Sequence, residues 1–383
     1  MNNLKKIVSV FISLILILTM SVNVNVYALS GDEITAPSAV LMDEKTGRVL
    51  FEKNSHDIRP CASITKVMTL ILIMQAIESG KISMEDNVTA SEHASSMGGS
   101  DIWLEPGETM TVDDMIKAIV VASANDAAVA MAEYISGSEE EFVGEMNKKA
   151  QELQMVDTVF KNCNGLDEDG HVTTAYDVAI MSRDLMKYDK IFDYTSIWID
   201  YLRNGKTQLV NTNKLLKSYK GITGLKTGTT SKAGSCISAS AKRDDLSLIA
   251  VVLGSATGKE RFKDAAALLD YGFANFNMYK PVVPEEAYTK IPVLNGMEEF
   301  VETKSNALNS FLIPKGKEKA ITNMLQIDSE VTAPVEQGQT LGKIIYSLDD
   351  EVIAEYNIEA AYSVDEMDFR SIFNILLKNL VSM

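Results

Sequence analysis

Histidine and cysteine are scarce in this 383-residue chain, with three of each. Cys61, Cys163 and Cys236 are an odd number at no metal-like spacing, so they make no disulfide framework and read as small buried apolar residues. His56, His93 and His171 stand far apart, with no His-Glu-x-x-His or other paired-ligand run, so a catalytic zinc is not expected and no cofactor is implied. Basic charge is also short. Lys and Arg total 36 against 53 Asp and Glu, a net charge of −17 with no basic patch, which argues against nucleic acid as a partner. No internal repeat is present.

The first residues carry Lys5 and Lys6, an apolar run from Ile7 to Met20, and a polar stretch ending at Val26-Tyr27-Ala28. This order reads as a secretory signal over residues 1–28, with the mature chain starting near Leu29. The run is short for a bilayer span, and no cysteine follows that would mark a lipoprotein; an uncleaved anchor is the alternative. Removal takes away two lysines and no acid, so −17 becomes −19.

Composition shifts near Tyr279. Five of the eight prolines (Pro281, Pro284, Pro292, Pro314 and Pro334) lie beyond it, among short β-branched runs separated by Gly and Asp-Asp turns, which predicts a small all-β domain over residues 279–362. Residues 29–278 mix types. Ala39 to Met42 and Arg48 to Glu52 flank a turn-rich link, predicting a hairpin, and Ser235 to Ala241 with Leu246 to Gly254 predict another. Ser63 to Ser79 is apolar on nearly every side and stopped by Gly80, the pattern of a helix buried all round. A helix capped by Thr111 runs to about Ala122, and Glu260 to Phe276 reads as a helix returning to the sheet. Strands at both ends with helices between them predict an α/β (α+β) domain.

Three short runs carry candidate chemistry. Ser63 and Lys66, three apart at the start of the buried helix, share one face, so the serine can meet its own base. A lysine near its ordinary pKa of about 10.4 is a poor base at neutral pH, so this one requires burial or a neighbouring cation such as Lys226. The helix start also turns backbone N–H groups toward the site. A serine cap with a snorkelling lysine is the bland alternative. Ser123-Ala124-Asn125 interrupts a strongly apolar surface; the serine can pass a proton and the asparagine can hold an amide or the lysine, while a helix C-cap followed by an N-cap explains the same residues. Lys226-Thr227-Gly228-Thr229-Thr230 reads as a strand along which an extended peptide can lie, with Gly228 leaving room for it, Thr227 and Thr229 offering donors, and Lys226 a charge. The alternative there is a polar edge-strand turn. Each run alone is weak, since a Ser-x-x-Lys is expected roughly once per chain of this size.

Order and context make the case. Pro60 to Thr69, Ser123-Ala124-Asn125-Asp126-Ala127, Asn164-Gly165-Leu166 with His171 and Thr174-Ala175-Tyr176-Asp177, and Lys226 to Thr230 with Ala233-Gly234 resemble the successive motifs of low-molecular-mass penicillin-binding proteins of the serine-type D-alanyl-D-alanine carboxypeptidase family. The resemblance covers nearly all of Pro37 to Phe276 and continues more weakly beyond. It implies a penicillin-binding, serine β-lactamase-like catalytic domain that removes the terminal D-Ala from peptidoglycan stem peptides. In that scheme Ser63 is the nucleophile, Lys66 the base and Ser123 a proton relay. Asn125, Lys226, Thr227, Gly228, Thr229 and, by family position, Arg261 bind substrate, and β-lactam antibiotics acylate Ser63. The backbone N–H of Thr229 would be the second oxyanion donor, opposite that of Ser63.

Two features depart from or extend the pattern. Many relatives place an arginine between two asparagines upstream of the third motif, whereas this chain has Asn211-Thr212-Asn213. His171 matches the family and reads as a residue that orders a loop. At the carboxyl end, Phe369, Ile372, Phe373, Leu376 and Leu380 make a helical stripe over residues 363–383, too polar to span a bilayer but able to lie in its surface. In the family such a tail is a membrane anchor, which implies an extracytoplasmic enzyme attached to the cell membrane; packing on the β domain or on a second copy is the alternative. A β-lactamase would share the nucleophile and base, but no Glu-x-Glu-Leu-Asn run is present. A non-catalytic wall scaffold is a further alternative, against which the intact motifs stand.

Overall fold

Strand β1 (Ser38–Asp43) is buried on both faces, and its alternation assigns each face to a different helical layer. It pairs antiparallel with β2 (Val49–Lys53) on one side, and on the other with a strand more than 200 residues away, in register Val40 with Val251. A computed structural model describes residues 29–370 together with 372, 373, 377 and 380, so the leader expected over residues 1–28 lies outside the described residues.

The chain divides between Met278 and Tyr279 into two units. In the first, helices α1 (Lys66–Glu78), α2 (Val112–Lys117), α3 (Asn125–Ser136), α4 (Glu139–Glu152) and α5 (Ala175–Leu185) follow the opening hairpin. A small hairpin of β3 (Ile199–Leu202) and β4 (Thr207–Val210) precedes three long strands, β5 (Ile222–Thr230), β6 (Gly234–Arg243) and β7 (Leu246–Ser255), and α6 (Gly258–Asn275) closes the unit. The sheet order is β2-β1-β7-β6-β5, antiparallel throughout.

Val40, Met42, Ile249, Val251 and Leu253 point into the main core with α1, α3 and α5. Their alternates Leu41 and Leu248 meet α6, where a Cβ on Gly272 would lie 2.5 Å from Leu248 and 3.0 Å from Leu41. A sheet buried on both faces needs apolar residues at successive positions, which is why Leu246–Ser255 reads as a nearly continuous apolar run. Helix α6 starts with a reciprocal capping box between Thr257 and Glu260. The three cysteines are free and buried.

The second unit is all β. Strands β8 (Lys290–Leu294), β9 (Phe300–Lys304), β10 (Ile321–Ile327), β11 (Val331–Thr332), β12 (Thr340–Leu348) and β13 (Glu351–Ala360) form one six-stranded sheet, ordered β10-β12-β13-β9-β8-β11. It has two apolar clusters, one around Val301 and Leu341 and the other around Phe311, Ile344 and Tyr346. Of the expected tail helix, Phe369, Arg370, Ile372, Phe373, Leu377 and Leu380 are helical, and the Phe369 and Phe373 rings stack at 6.2 Å. Leu376 and the remaining tail residues lie outside the described residues. Among the described residues no helix is long and apolar enough to cross a membrane.

Candidate active site

The buried helix begins three residues later than its sequence suggests. Ser63 stands in a tight 3₁₀ turn, Ala62–Thr65, preceded by Ala62 in the left-handed region at φ 50°, and α1 proper starts at Lys66. A non-glycine residue there is strained, and such strain persists only where the surroundings hold it. Three things do. His171, which accepts the Lys161 N–H at Nδ1 and is therefore protonated at Nε2, bonds the Thr65 hydroxyl at 2.7 Å. Thr65 in turn donates to the Ala62 carbonyl at 2.9 Å. Gly165, at φ 88°, presses so close that a Cβ on it would lie 2.0 Å from that carbonyl oxygen.

Lys66 is fully buried, and its Nζ has three neighbours. They are Asn125 Oδ1 at 2.5 Å, the Asn164 carbonyl at 2.6 Å and Ser63 Oγ at 3.2 Å. Asn125 is oriented by its own Nδ2, which donates to the Gly98 carbonyl at 2.6 Å, so Oδ1 faces the lysine. Burial, outweighing the nearby Cys163, Asp101 and Asp126, lowers the Lys66 pKa from 10.5 to about 7. A neutral amine has two N–H donors and one lone pair. The Asn125 amide oxygen and the Asn164 carbonyl can only accept, so they take both donors and leave the lone pair toward the Ser63 hydroxyl. That is the arrangement a general base requires.

Ser123 ends a turn of π-helix over Ala118–Ala122 and is left-handed at φ 63°, while Asn125 opens α3 two residues later. The break is thus a C-cap followed by a helix start, and its two polar side chains both face inward. Lys226 on β5 reaches the same space: it pairs with Ser238, whose hydroxyl meets Ser182 of α5, so its side chain is on the helical face. Its Nζ donates to Ser123 Oγ at 2.8 Å and to the Thr227 carbonyl at 2.9 Å. Burial first, then Lys66 and Arg261, hold its pKa well below the usual lysine range.

The rest of the third motif lines the strand. Thr227 Oγ1 bonds Thr212 Oγ1 at 2.6 Å, so the position where many relatives have arginine here supplies a hydroxyl partner. Thr229 is exposed and accepts Arg261 Nη1 at 2.8 Å; the same nitrogen donates to the Gly228 carbonyl at 2.9 Å. Arg261 is buried and, among the described residues, has no ion-pair partner. Gly228 also packs against the nucleophile turn. A Cβ there would lie 2.8 Å from the Ser63 nitrogen and 2.9 Å from the Cys61 carbonyl, so the missing side chain admits the nucleophile turn.

Sequence reasoning missed the Asn164 carbonyl, since a backbone acceptor leaves no residue-type signature. Its loop is held by Asn162 Oδ1 accepting from Gly165 and Asn164 Oδ1 accepting from Leu166, at 2.7 and 2.9 Å. Two asparagines ahead of a glycine in Asn162-Cys163-Asn164-Gly165 were the available signal.

Fold and residue set define a penicillin-binding type of serine hydrolase. Residues 25–257 match the family model described as D-alanyl-D-alanine carboxypeptidase, and residues 276–366 match that of the penicillin-binding protein 5 C-terminal domain. The chain is 46% identical over 338 residues to the D-alanyl-D-alanine carboxypeptidase DacF of Bacillus subtilis, covering 87% of each chain. It is also similar to the crystal structure of penicillin binding protein 5 from Haemophilus influenzae, with TM-score 0.77 and 32% identity over 88% of this chain and all of that one. Penicillin-binding protein D2 from Listeria monocytogenes, in an ampicillin-bound form, matches with TM-score 0.58 and 31% identity, covering 63% of this chain and 98% of that one. The chain belongs to the serine-type D-alanyl-D-alanine carboxypeptidase family, and it is a serine peptidase.

Proposed function

We propose that residues 29–278 form the catalytic unit and that Ser63 is its nucleophile, acting on peptidoglycan stem peptides ending in D-Ala-D-Ala. The observation that carries this reading is the Lys66 amine, whose lone pair is left to the Ser63 hydroxyl by two acceptor-only neighbours. Ser63 Oγ attacks the carbonyl carbon of the penultimate residue while its proton passes to Lys66 Nζ. The oxyanion sits between the backbone N–H groups of Ser63 and Thr229. The C–N bond then breaks, and the proton that Lys66 accepted passes through the Ser123 hydroxyl, which Lys226 holds at 2.8 Å, to the departing D-Ala amine, leaving Lys66 neutral again. Water attacks the Ser63 ester, gives a proton to Lys66 and releases the shortened peptide as Ser63 Oγ recovers its hydrogen.

Asn125 binds the substrate amide and orients Lys66. Lys226, Thr227 and Thr229 receive the terminal carboxylate, with Gly228 keeping the strand against Ser63. Arg261 acts there through the Thr229 hydroxyl it donates to. The carboxylate supplies the counter-charge that Lys226 and Arg261 lack in the free protein, so binding draws a proton onto Lys226. β-Lactams enter as mimics of the dipeptide end and leave an ester on Ser63. The enzyme works outside the cytoplasmic membrane, with its leader removed near Leu29 and the apolar stripe of the tail, exposed at Phe369, Phe373 and Leu380, lying in the membrane surface.

The test is mass spectrometry of wall peptides treated with the protein. Loss of one alanine supports the reading; loss of a cross-link or no change contradicts it.

A further inference from the structure

Trp103 is the most exposed large apolar residue of the first unit apart from Val156, at 78% exposure, and its φ of 56° is left-handed. A bulky residue in that region is an outlier, and such residues concentrate at ligand clamps. The strain is held by four hydrogen bonds. Asp126 accepts the N–H groups of Ile102 at 3.1 Å and Leu104 at 3.0 Å; Arg203, from the turn of the β3–β4 hairpin, donates to the carbonyls of Ile102 at 2.8 Å and Trp103 at 3.2 Å. Ile102 and Leu104 are buried on either side, so the indole is turned outward.

The same loop holds the site asparagine. Asn125 N–H donates to the Ser100 carbonyl at 2.7 Å and Asn125 Nδ2 to that of Gly98. Trp103 is three residues from Ser100, a span of at most about 11 Å. Charge on this loop is acidic. The Arg203 guanidinium is neutralised by Glu108, at 2.6 and 3.0 Å, while Glu105 is exposed and Asp101, within electrostatic reach of Lys66, has a buried carboxylate oxygen with no hydrogen-bond partner.

We propose that Trp103 is the face of a subsite for an alkylammonium side chain on the substrate, carried by the residue preceding D-Ala-D-Ala; this rests on the carboxypeptidase reading above. An exposed indole on an acidic loop attracts an ammonium through the ring quadrupole and the net negative charge of the loop, and the alkyl stem covers the exposed ring. A neutral side chain gains only the second contact. Asp126 and Arg203 are positioning residues for this face.

Two peptides test it, Nα-acetyl-Lys-D-Ala-D-Ala with its ε-amine free and the diacetylated form. The wild type should release D-Ala from the free-amine peptide with a kcat/KM about three- to fivefold higher. Trp103→Gly, which suits the left-handed backbone, should bring the ratio to about one, and Trp103→Phe should restore most of it. Trp103 and Trp198 are the two tryptophans of the chain. In a Trp198→Phe, Ser63→Ala protein, the emission should shift with the free-amine peptide and less with the diacetylated one. An unchanged ratio in Trp103→Gly, or emission that responds to neither peptide, overturns the subsite. Release by the wild type without amine preference overturns this proposal alone; no release from either peptide overturns the functional reading and the subsite with it.

Discussion

Lys226 Nζ lies 2.8 Å from Ser123 Oγ, joining a strand residue to a helix-break residue 103 positions away in sequence. With Lys66 bound to Asn125, each of the two buried lysines is thereby tied to one polar side chain of the break between helices. Burial holds both amines below the usual lysine range, and Lys66 and Arg261 lower Lys226 further, so the site is a store of basicity that a substrate carboxylate completes.

The pH dependence of acylation follows from Lys66. The base must be neutral, and burial lowers its pKa to about 7. The second-order rate of penicillin acylation should therefore rise about tenfold per pH unit below 7 and level off above it. Stopped-flow measurement across pH 5 to 9 checks this; a rate that keeps climbing toward pH 10 would mean an unperturbed lysine.

The same burial has a cost in stability. Because the folded-state pKa of Lys66 is depressed, the unfolded chain binds more protons between about pH 7 and 10, and stability rises with pH over that window by up to about 1.4 kcal/mol per unit from this group. Lys66→Met should greatly slow acylation and flatten that slope, so its advantage over wild type is greatest at and below about pH 7. Urea denaturation at pH 7 and pH 9 reads the difference; equal slopes in both proteins would count against it.

Gly165 admits no side chain. Gly165→Ala places a Cβ on the Ala62 carbonyl at a left-handed φ, so either the 162–166 loop or the nucleophile turn must move. Backbone strain of this kind costs about 1–3 kcal/mol, and displacement of the Asn164 carbonyl from Lys66 should slow acylation by tenfold or more. Thermal melts with acylation kinetics measure both, and wild-type values for both would refute the packing argument.

Much of the fold was legible from periodicity. The apolar runs at Ala39–Met42 and Leu246–Gly254 reported strands, and the helices between them reported a sheet with partners distant in sequence. Which strands pair is set by the fold, with Val40 opposite Val251. The site was legible as residue types but not as geometry. Ser63, Lys66, Ser123 and Asn125 appear as side chains in motifs, whereas the Asn164 carbonyl, a backbone atom, does not. The start of α1 was missed because the buried run continues through Ala62–Thr65, and the 3₁₀ turn there is held by tertiary contacts, the Thr65 bonds to His171 and Ala62 and the close approach of Gly165 and Gly228. His171 was readable as a loop-ordering residue, and its Nε2 contact to Thr65 gives that role a partner. Burial lowers its pKa to about 4, so it stays neutral through the working range.

The central claim is that Ser63, activated by Lys66, carries the acyl group. Its most direct test is to quench the protein with penicillin within seconds, digest it and locate the adduct by mass spectrometry. The account predicts a penicilloyl mass on the peptide containing Ser63, absent in Ser63→Ala and greatly slowed in Lys66→Met. An adduct on any other residue, or D-Ala release undiminished in Ser63→Ala, would contradict it.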